Sequence, residues 1–359
     1  MKFLFKRLFI LFLFVGITTA TYAQTALDFI KKGIELHDAN KFDDAVVAFE
    51  TAIKIEPKNS TAHYEIANTY AAMEKYEKAI DHAEKVIKLK NGNEDAAYTL
   101  LGTAYDLLKK PKKAIKAYED GIKAFPNMYN LYYNLGITQY NQGDLEKAEL
   151  AAMGSVKNNP KHANSHFLLA NIEVDKGKRI KAMLPLYTYL IIQPNAKKVL
   201  VAREMLEKLY KSAANVKENG DNRNIVISLP MGDTGEEFGV EESMMSLAAS
   251  LLAIPMAKIK DSLKIVSTPE STFFDDTRML FNRITKEDKT KKADSFWQVV
   301  YVKPYAELVK KEHLEAFCYA IYGGTEGSKK WQADNAEKVE KFNQWLKEAD
   351  NPLPLKREH

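Results

Sequence analysis

An all-α chain is predicted: a solenoid of helical hairpins, followed by a mostly helical C-terminal domain with room for a few short strands. Three observations predict it. One residue pattern recurs every 34 or 35 residues between positions 26 and 196. Within each unit the small, aromatic and apolar residues recur at helical spacing. Beyond residue 210 the long period stops, yet stretches with apolar residues three and four apart continue.

Residues 1–23 precede the fold. Lys2, Lys6 and Arg7 form a basic start, Leu8 to Ile17 an apolar stretch, and Thr21, Tyr22 and Ala23 a small-residue cleavage site before Gln24. That order is the mark of a secretory signal peptide. The apolar stretch is shorter than the ~20 residues needed to span a bilayer. No Cys follows it, so no lipid anchor is expected. Its three basic residues leave with it, taking the net charge from +4 to +1. A near-neutral mature chain has no electrostatic reason to bind nucleic acid or an anionic membrane, and no transmembrane segment is expected in it. Cys318 is the only cysteine. No internal disulfide can form, so packing has to stabilise the exported chain.

From 26 to 196 each element follows from its slot. An aromatic slot holds Phe29, His63, Tyr98, Tyr132 and His166, and a small slot four residues on holds Gly33, Ala67, Gly102, Gly136 and Ala170. The second helix of each unit carries Ala45, Ala79, Ala114, Ala148 or Ala182. Small residues at these crossings let two helices approach closely. Tyr70 and Tyr105 occupy a further aromatic position. Pro57, Asn91, Pro126, Pro160 and Pro194 close the units, proline because it cannot continue the preceding helix. Asn40, Gly143 and Gly177 mark the turn between helices in three of them. Residues 197–211 read as one more amphipathic helix, with Val199, Ala202, Leu206 and Leu209 on one face, able to cap the last hairpin.

These residues, over about 171 positions, resemble the tetratricopeptide repeat family, with five repeats. Departures are modest: Asn91 stands for proline, one residue is inserted between the second and third units, and Lys32 replaces the usual Leu. The resemblance implies a concave groove lined by the first helix of each repeat. Its candidate partner-binding residues are Tyr64, Asn68, Thr99, Thr103, Asn130, Tyr133, Tyr140, Asn164, Phe167 and Asn171, with Ile30, Ile34, Asp106 and Ile137 beside them. Aromatic faces stack, and Asn amides both donate and accept. No Lys and Arg cluster lines the groove, so the expected partner is another protein's helix or an uncharged extended peptide segment.

In the C-terminal domain, 212–359, no resemblance to a named family is recognised. Residues 215–224 read as a linker, 225–229 as a short strand and 230–239 as a loop. A strongly apolar helix is expected at 240–254, and 260–268 is ambiguous. A short helix is expected at 277–284, and 296–302 as strand or helix. A helix starting at Pro304 carries Tyr305, Leu308, Val309, Leu314, Phe317, Cys318 and Ile321, and ends at Gly323-Gly324. A last helix is expected at 329–349.

Motifs for catalysis are missing: no phosphate-binding Gly-rich loop, no His-Glu-x-x-His, no paired cysteines, no Gly-x-Ser-x-Gly. His313 and Cys318 on one helix would point about 140° apart, so they would not form a nucleophile pair. His162 and His166 have the spacing of metal ligands, but His166 fills the aromatic slot and no third ligand is near. Asp275-Asp276 reads as a solvated turn. No metal or cofactor is expected. The expected function is non-catalytic: an exported protein that recruits or scaffolds another envelope protein. The Ala23-Gln24 junction resembles those of bacterial exported proteins, which implies the periplasm. Two alternatives stand: a hydrolase in 212–359 to which the repeats present substrate, or a glycan- or peptide-binding module.

Overall fold

The structure, a computed structural model, describes residues 25–194, 197–211, 238, 269–285, 295–348 and 351–353. Among them are sixteen α-helices and no strand. The chain forms two compact units, residues 1–124 and 125–359.

The first unit holds three hairpins: α1 (Ala26–Asp38) with α2 (Phe42–Ile55), α3 (Ser60–Ala72) with α4 (Tyr76–Leu89), and α5 (Glu94–Leu107) with α6 (Pro111–Ala124). Thr25 opens α1 with a reciprocal cap, its hydroxyl accepting from the Asp28 amide while the Asp28 carboxylate accepts from the Thr25 amide. Gly33 and Gly102 are small because an aromatic ring of the second helix lies against them. A Cβ on Gly33 would meet Phe49 at 2.5 Å, and one on Gly102 would meet Tyr118 at 2.3 Å.

The turns are more uniform than the sequence suggested. Asn40, Glu74 and Lys109 all adopt left-handed backbone, at φ 58°, 58° and 57°. After each, the next amide donates five residues back, Lys41 to Leu36, Lys75 to Tyr70 and Lys110 to Tyr105, at 2.8–2.9 Å. This closure satisfies carbonyls that would otherwise be orphaned. It offsets the ~1–2 kcal/mol a side chain costs in that conformation, which is why Glu74 and Lys109 can serve where glycine is the usual residue. The extra residue between the second and third repeats is absorbed by a loop in which Lys90, Gly92 and Asn93 all have positive φ. Asn91, in proline's place, donates its amide to the Lys58 carbonyl at 2.9 Å.

The second unit begins with two more hairpins, α7 (Tyr129–Asn141) with α8 (Leu145–Asn158) and α9 (Ala163–Asp175) with α10 (Arg179–Ile192), then α11 (Val199–Lys211). Gly143 and Gly177 make the turns with positive φ. The helix α11 buries Val199, Ala202 and Leu206, the face expected, against α10.

The rest of this unit is α12 (Pro269–Ile284), α13 (Lys303–Lys310), α14 (Leu314–Ile321), α15 (Glu326–Asp334) and α16 (Ala336–Lys347), with a π-helical turn, Gln298–Val302, leading into α13. The stretch 296–302 is therefore helical. Two expected helices are broken, and each break has a cause. The one from Pro304 stops where Glu312 turns left-handed (φ 58°) and the His313 amide donates to Leu308. The one over 329–349 splits at Asn335, whose φ of −124° is not helical. The helix expected at 277–284 starts eight residues earlier, because Phe273 and Glu270 are buried on its first turns. Asp275 and Asp276 thus lie on a helix, not in a turn. The elements expected at 215–229, 240–254 and 260–268, and the loop at 230–239 apart from Phe238, fall outside the described residues.

One apolar core runs through this unit. It joins Leu169, Leu184, Leu186 and Leu190 of the fifth hairpin to Phe281, Tyr305, Phe317, Phe342 and Trp345 of the later helices. At its centre is α10, in which every residue except Lys181 and Ile192 is buried. Polar ends are paired across it. The Tyr305 hydroxyl donates to the Leu184 carbonyl at 2.9 Å and lies 2.6 Å from the Thr188 hydroxyl, and Tyr187 lies 2.9 Å from the Thr277 hydroxyl. Arg203 of α11 donates to the carbonyls of Ile321, the last residue of α14, and Gly323 just after it.

Candidate partner-binding faces

In the first unit the predicted groove residues lie on α3 and α5. Tyr64 is half-buried against the apolar cluster around Ile80 and Leu101, and burial raises its phenol pKa. Asn68 is part-exposed, and its amide forms no side-chain hydrogen bond among the described residues. Thr99 and Thr103 are less available. Their hydroxyls donate to Asp95 and Thr99 carbonyls four residues back, at 3.1 and 2.9 Å, and Thr103 also meets the Tyr118 hydroxyl at 3.2 Å. Thr99 is bonded within its own helix, and Thr103 ties α5 to α6 through Tyr118.

In the second unit the predicted residues lie on α7 and α9. Asn130 is part-exposed and Asn164 exposed, and neither amide is hydrogen-bonded among the described residues. One turn along each helix stand Tyr133 and Phe167, both part-buried. Tyr133 has its ring 4.9 Å from His162, edge to face. Phe167 packs on Tyr189 at 5.0 Å, with the Lys198 ammonium 5.1 Å over its ring. Two polar members are already spent. The Tyr140 hydroxyl donates to Asp175 at 2.6 Å, and that carboxylate pushes its pKa up to about 12. Asn171 donates to the Phe167 carbonyl at 2.6 Å. What remains open is an amide and an aromatic at matching places on two successive repeats.

The residues that invite chemistry are committed elsewhere. The ring of His166 donates through Nε2 to the Pro160 carbonyl at 2.8 Å and so accepts at Nδ1 from the Tyr301 hydroxyl, also 2.8 Å. Full burial depresses its pKa to about 4, leaving a neutral packing residue. His162 instead meets the Ser165 hydroxyl at 2.7 Å. In the first unit His63 and His82 pair through their Nδ1 atoms at 3.1 Å, and burial depresses His82 to about 4. Cys318 is buried, and burial pushes its thiol far above the usual range. His313 does not share its helix face: it is the residue before α14 and packs on Trp345, ring centroids 5.1 Å apart.

One polar cluster left no distinct mark in the sequence motifs. Glu146 and Glu149 of α8, Glu173 of α9, and Lys176, Lys178 and Lys181 line a cleft of about 630 Å³. The signal was present in the register: Glu173 occupies the slot that holds Tyr70 and Tyr105 in earlier repeats.

The repeat assignment rests on more than slot counting. Tetratricopeptide repeat families match residues 58–127 and 99–163, and a TPR repeat family matches 33–74. Residues 33–163 are tetratricopeptide repeats. Curated proteins similar to this TPR region include the general transcriptional corepressor trfA of Dictyostelium discoideum, 27% identical over 125 residues, and the Hsp70-Hsp90 organizing protein of Triticum aestivum, 26% identical over 125 residues. The TPR repeat-containing protein MJ1428 of Methanocaldococcus jannaschii is 26% identical over 176 residues. The matches cover 34%, 33% and 46% of this chain but only 9%, 21% and 30% of those proteins. Solved TPR structures are similar too. YrrB, described as a TPR protein with an unusual peptide-binding site, is 24% identical with a TM-score of 0.40, covering 50% of this chain and 92% of its own. MamA is 22% identical with a TM-score of 0.42, covering 49% and 94%. Among the described residues, no TPR or later helix is long and apolar enough to cross a membrane.

Proposed function

We propose that this is an exported TPR protein that holds an uncharged, extended segment of another protein of the cell envelope, in the periplasm. The repeats at 26–196 supply the contact, closed by 197–211, with 212–359 as a second surface. One observation carries the reading. Asn130 and Asn164 present unbonded amides beside Tyr133 and Phe167 at equivalent places on successive repeats. A repeated amide-and-ring pair suits a backbone that offers a carbonyl or amide at regular intervals, and rings add sequence-tolerant contact area. Relatives such as the Hsp70-Hsp90 organizing proteins support a protein-binding role by their names. The export reading is supported by the signal-like residues 1–23.

The test uses the full chain expressed with its leader. Cell fractionation and N-terminal sequencing are expected to find it outside the cytoplasm, beginning at Gln24. Cross-linked capture from envelope extract should yield a protein that is lost when Asn130 and Asn164 are both changed to Ala. Because neither side chain is hydrogen-bonded among the described residues, the melting temperature should stay unchanged. A captured partner retained at full yield by that double variant would place binding elsewhere.

A further inference from the structure

The junction between the fourth and fifth repeats differs in kind from the first two. In the first unit, the positions where the second helix of one repeat meets the first helix of the next are apolar. They are Val46, Tyr70 and Met73 in one cluster, then Ile80, Tyr105 and Leu108 in another. Between α8 and α9 the same three register positions are Glu149, Glu173 and Lys176. Glu173 is fully buried; among the described residues no N–H or hydroxyl donor meets either of its carboxyl oxygens, and its one hydrogen-bond contact is with the Glu149 carboxylate. Lys176 donates to Glu146 at 2.8 Å and to Glu149. The side chains of Lys176 and Glu149 are each only 13% exposed, whereas that of Glu146 is 79% exposed.

Among the described residues, the Lys176 ammonium bonds the inner pair only through Glu149, and the Glu149–Glu173 pair holds a proton where a second cation could stand. A buried carboxylate without donors is costly and a buried acid pair has to hold a proton instead, while the first two junctions show that such a helix pair accepts an apolar solution. Nor can Lys181 reach in fully, since its ammonium stands 5.3 Å over the Trp297 ring. We propose that this cleft is a binding site for a guanidinium group, borne by an arginine side chain of a partner or by a small free guanidinium compound, donating to Glu173 and Glu149. It is separate from the amide-and-ring face and does not depend on it.

The choice of ligand follows from the donors required. Among the described residues no three His, Cys, Asp or Glu side chains are placed to hold a metal ion. Once Glu173 gives up its proton both of its oxygens need donors, and a planar guanidinium fork supplies two parallel bonds where an ammonium is a point charge. The same surroundings set the protonation of Glu173. Burial first, and the Glu149 carboxylate second, push its pKa up to about 8, against the lowering influence of Lys181 and Lys176. At neutral pH it is mostly protonated, and an arriving cation should expel that proton.

The experiment is calorimetric titration of the full chain at pH 7 with N-acetyl-arginine amide, agmatine and N-acetyl-citrulline amide, in two buffers of different ionisation enthalpy. The expected result is saturable binding of the arginine compound with release of close to one proton, and at least tenfold weaker binding of the neutral citrulline compound. Agmatine bound as tightly as the arginine compound would identify a site for free guanidinium compounds; weaker agmatine would identify a site for a partner's arginine. Glu173→Gln keeps the shape and should bind at least tenfold more weakly with no proton release. A variant with E149I, E173Y and K176L installs the residues of the second junction and should fold, melt no lower than the parent and bind none of the compounds. No saturable binding by the parent, equal binding of the citrulline compound, or undiminished binding by Glu173→Gln or by the triple variant would each overturn the proposal.

Discussion

Gly102→Ala adds one methyl group, and the structure fixes what it must displace. The new Cβ would sit 2.3 Å from Cε1 and 2.5 Å from Cζ of Tyr118. The ring would have to recede by about 1.1 Å to regain the 3.4 Å of an ordinary contact, in a core with little spare volume. Tyr118 is 1% exposed, and its hydroxyl is fixed by Thr103 at 3.2 Å and Asp106 at 3.3 Å. Overpacking of this kind costs about 1–3 kcal/mol, and loosening the hydroxyl adds roughly 0.5–1.5 kcal/mol. Against this, alanine favours a helix interior over glycine by about 1 kcal/mol. The net expectation is a loss of about 1–3 kcal/mol.

Gly136→Ala is the control. Its Cβ would meet only the flexible end of Leu168 at 3.1 Å and backbone at 3.4 and 3.5 Å. Helix propensity then dominates, and the variant should be neutral or up to about 1 kcal/mol more stable. Urea unfolding of the full chain, followed by circular dichroism, separates the two. Tyr118→Leu placed with Gly102→Ala should recover part of the loss by making room. A Gly102→Ala chain as stable as its parent, or as stable as Gly136→Ala, would show that the ring does not constrain the first helix as described.

Two further outcomes are expected. Arg203→Met should destabilise the second unit by about 2–4 kcal/mol, since it removes charged donors from the Ile321 and Gly323 carbonyls and the cation over Tyr322, seen as an early loss of α14 protection in hydrogen exchange. The His166 pKa lies below its unfolded value of 6.5, at about 4. The unfolded chain therefore binds the extra proton first, so stability is full above pH 6.5 and falls as the pH drops towards 4, by up to about 3 kcal/mol. Denaturation curves at pH 7 and 5 should differ by less in His166→Gln than in the parent.

Periodicity made much of the repeat region legible, because one slot seen five times outweighs any single residue. Gly33 and Gly102 were read as close-approach sites, and Phe49 and Tyr118 are the rings they admit. The same strength produced a blind spot. Glu173 belongs to no motif, and a lone Glu on a helix is usually solvated; only its place in a tyrosine slot sets it apart. In the candidate groove, residue type alone could not tell which groups were engaged. Tyr140 and Asn171 proved internally bonded, while Asn130 and Asn164 did not. Beyond residue 210 no repeat exists to average over. A break such as that at Glu312 rests on a turn hydrogen bond from His313 to Leu308, which leaves little trace in composition.

The burial of α10 on all sides bears on how such a chain can change in length. In a simple repeat array the outermost hairpin ends in a polar flank, so units can be gained or lost there by duplication. Here the fifth hairpin offers no such flank, because Leu184, Tyr187 and Leu190 share one core with the C-terminal helices. A new repeat inserted after it would have to displace those helices before it could stack. A repeat gained or lost upstream of the fifth hairpin would leave this shared core in place.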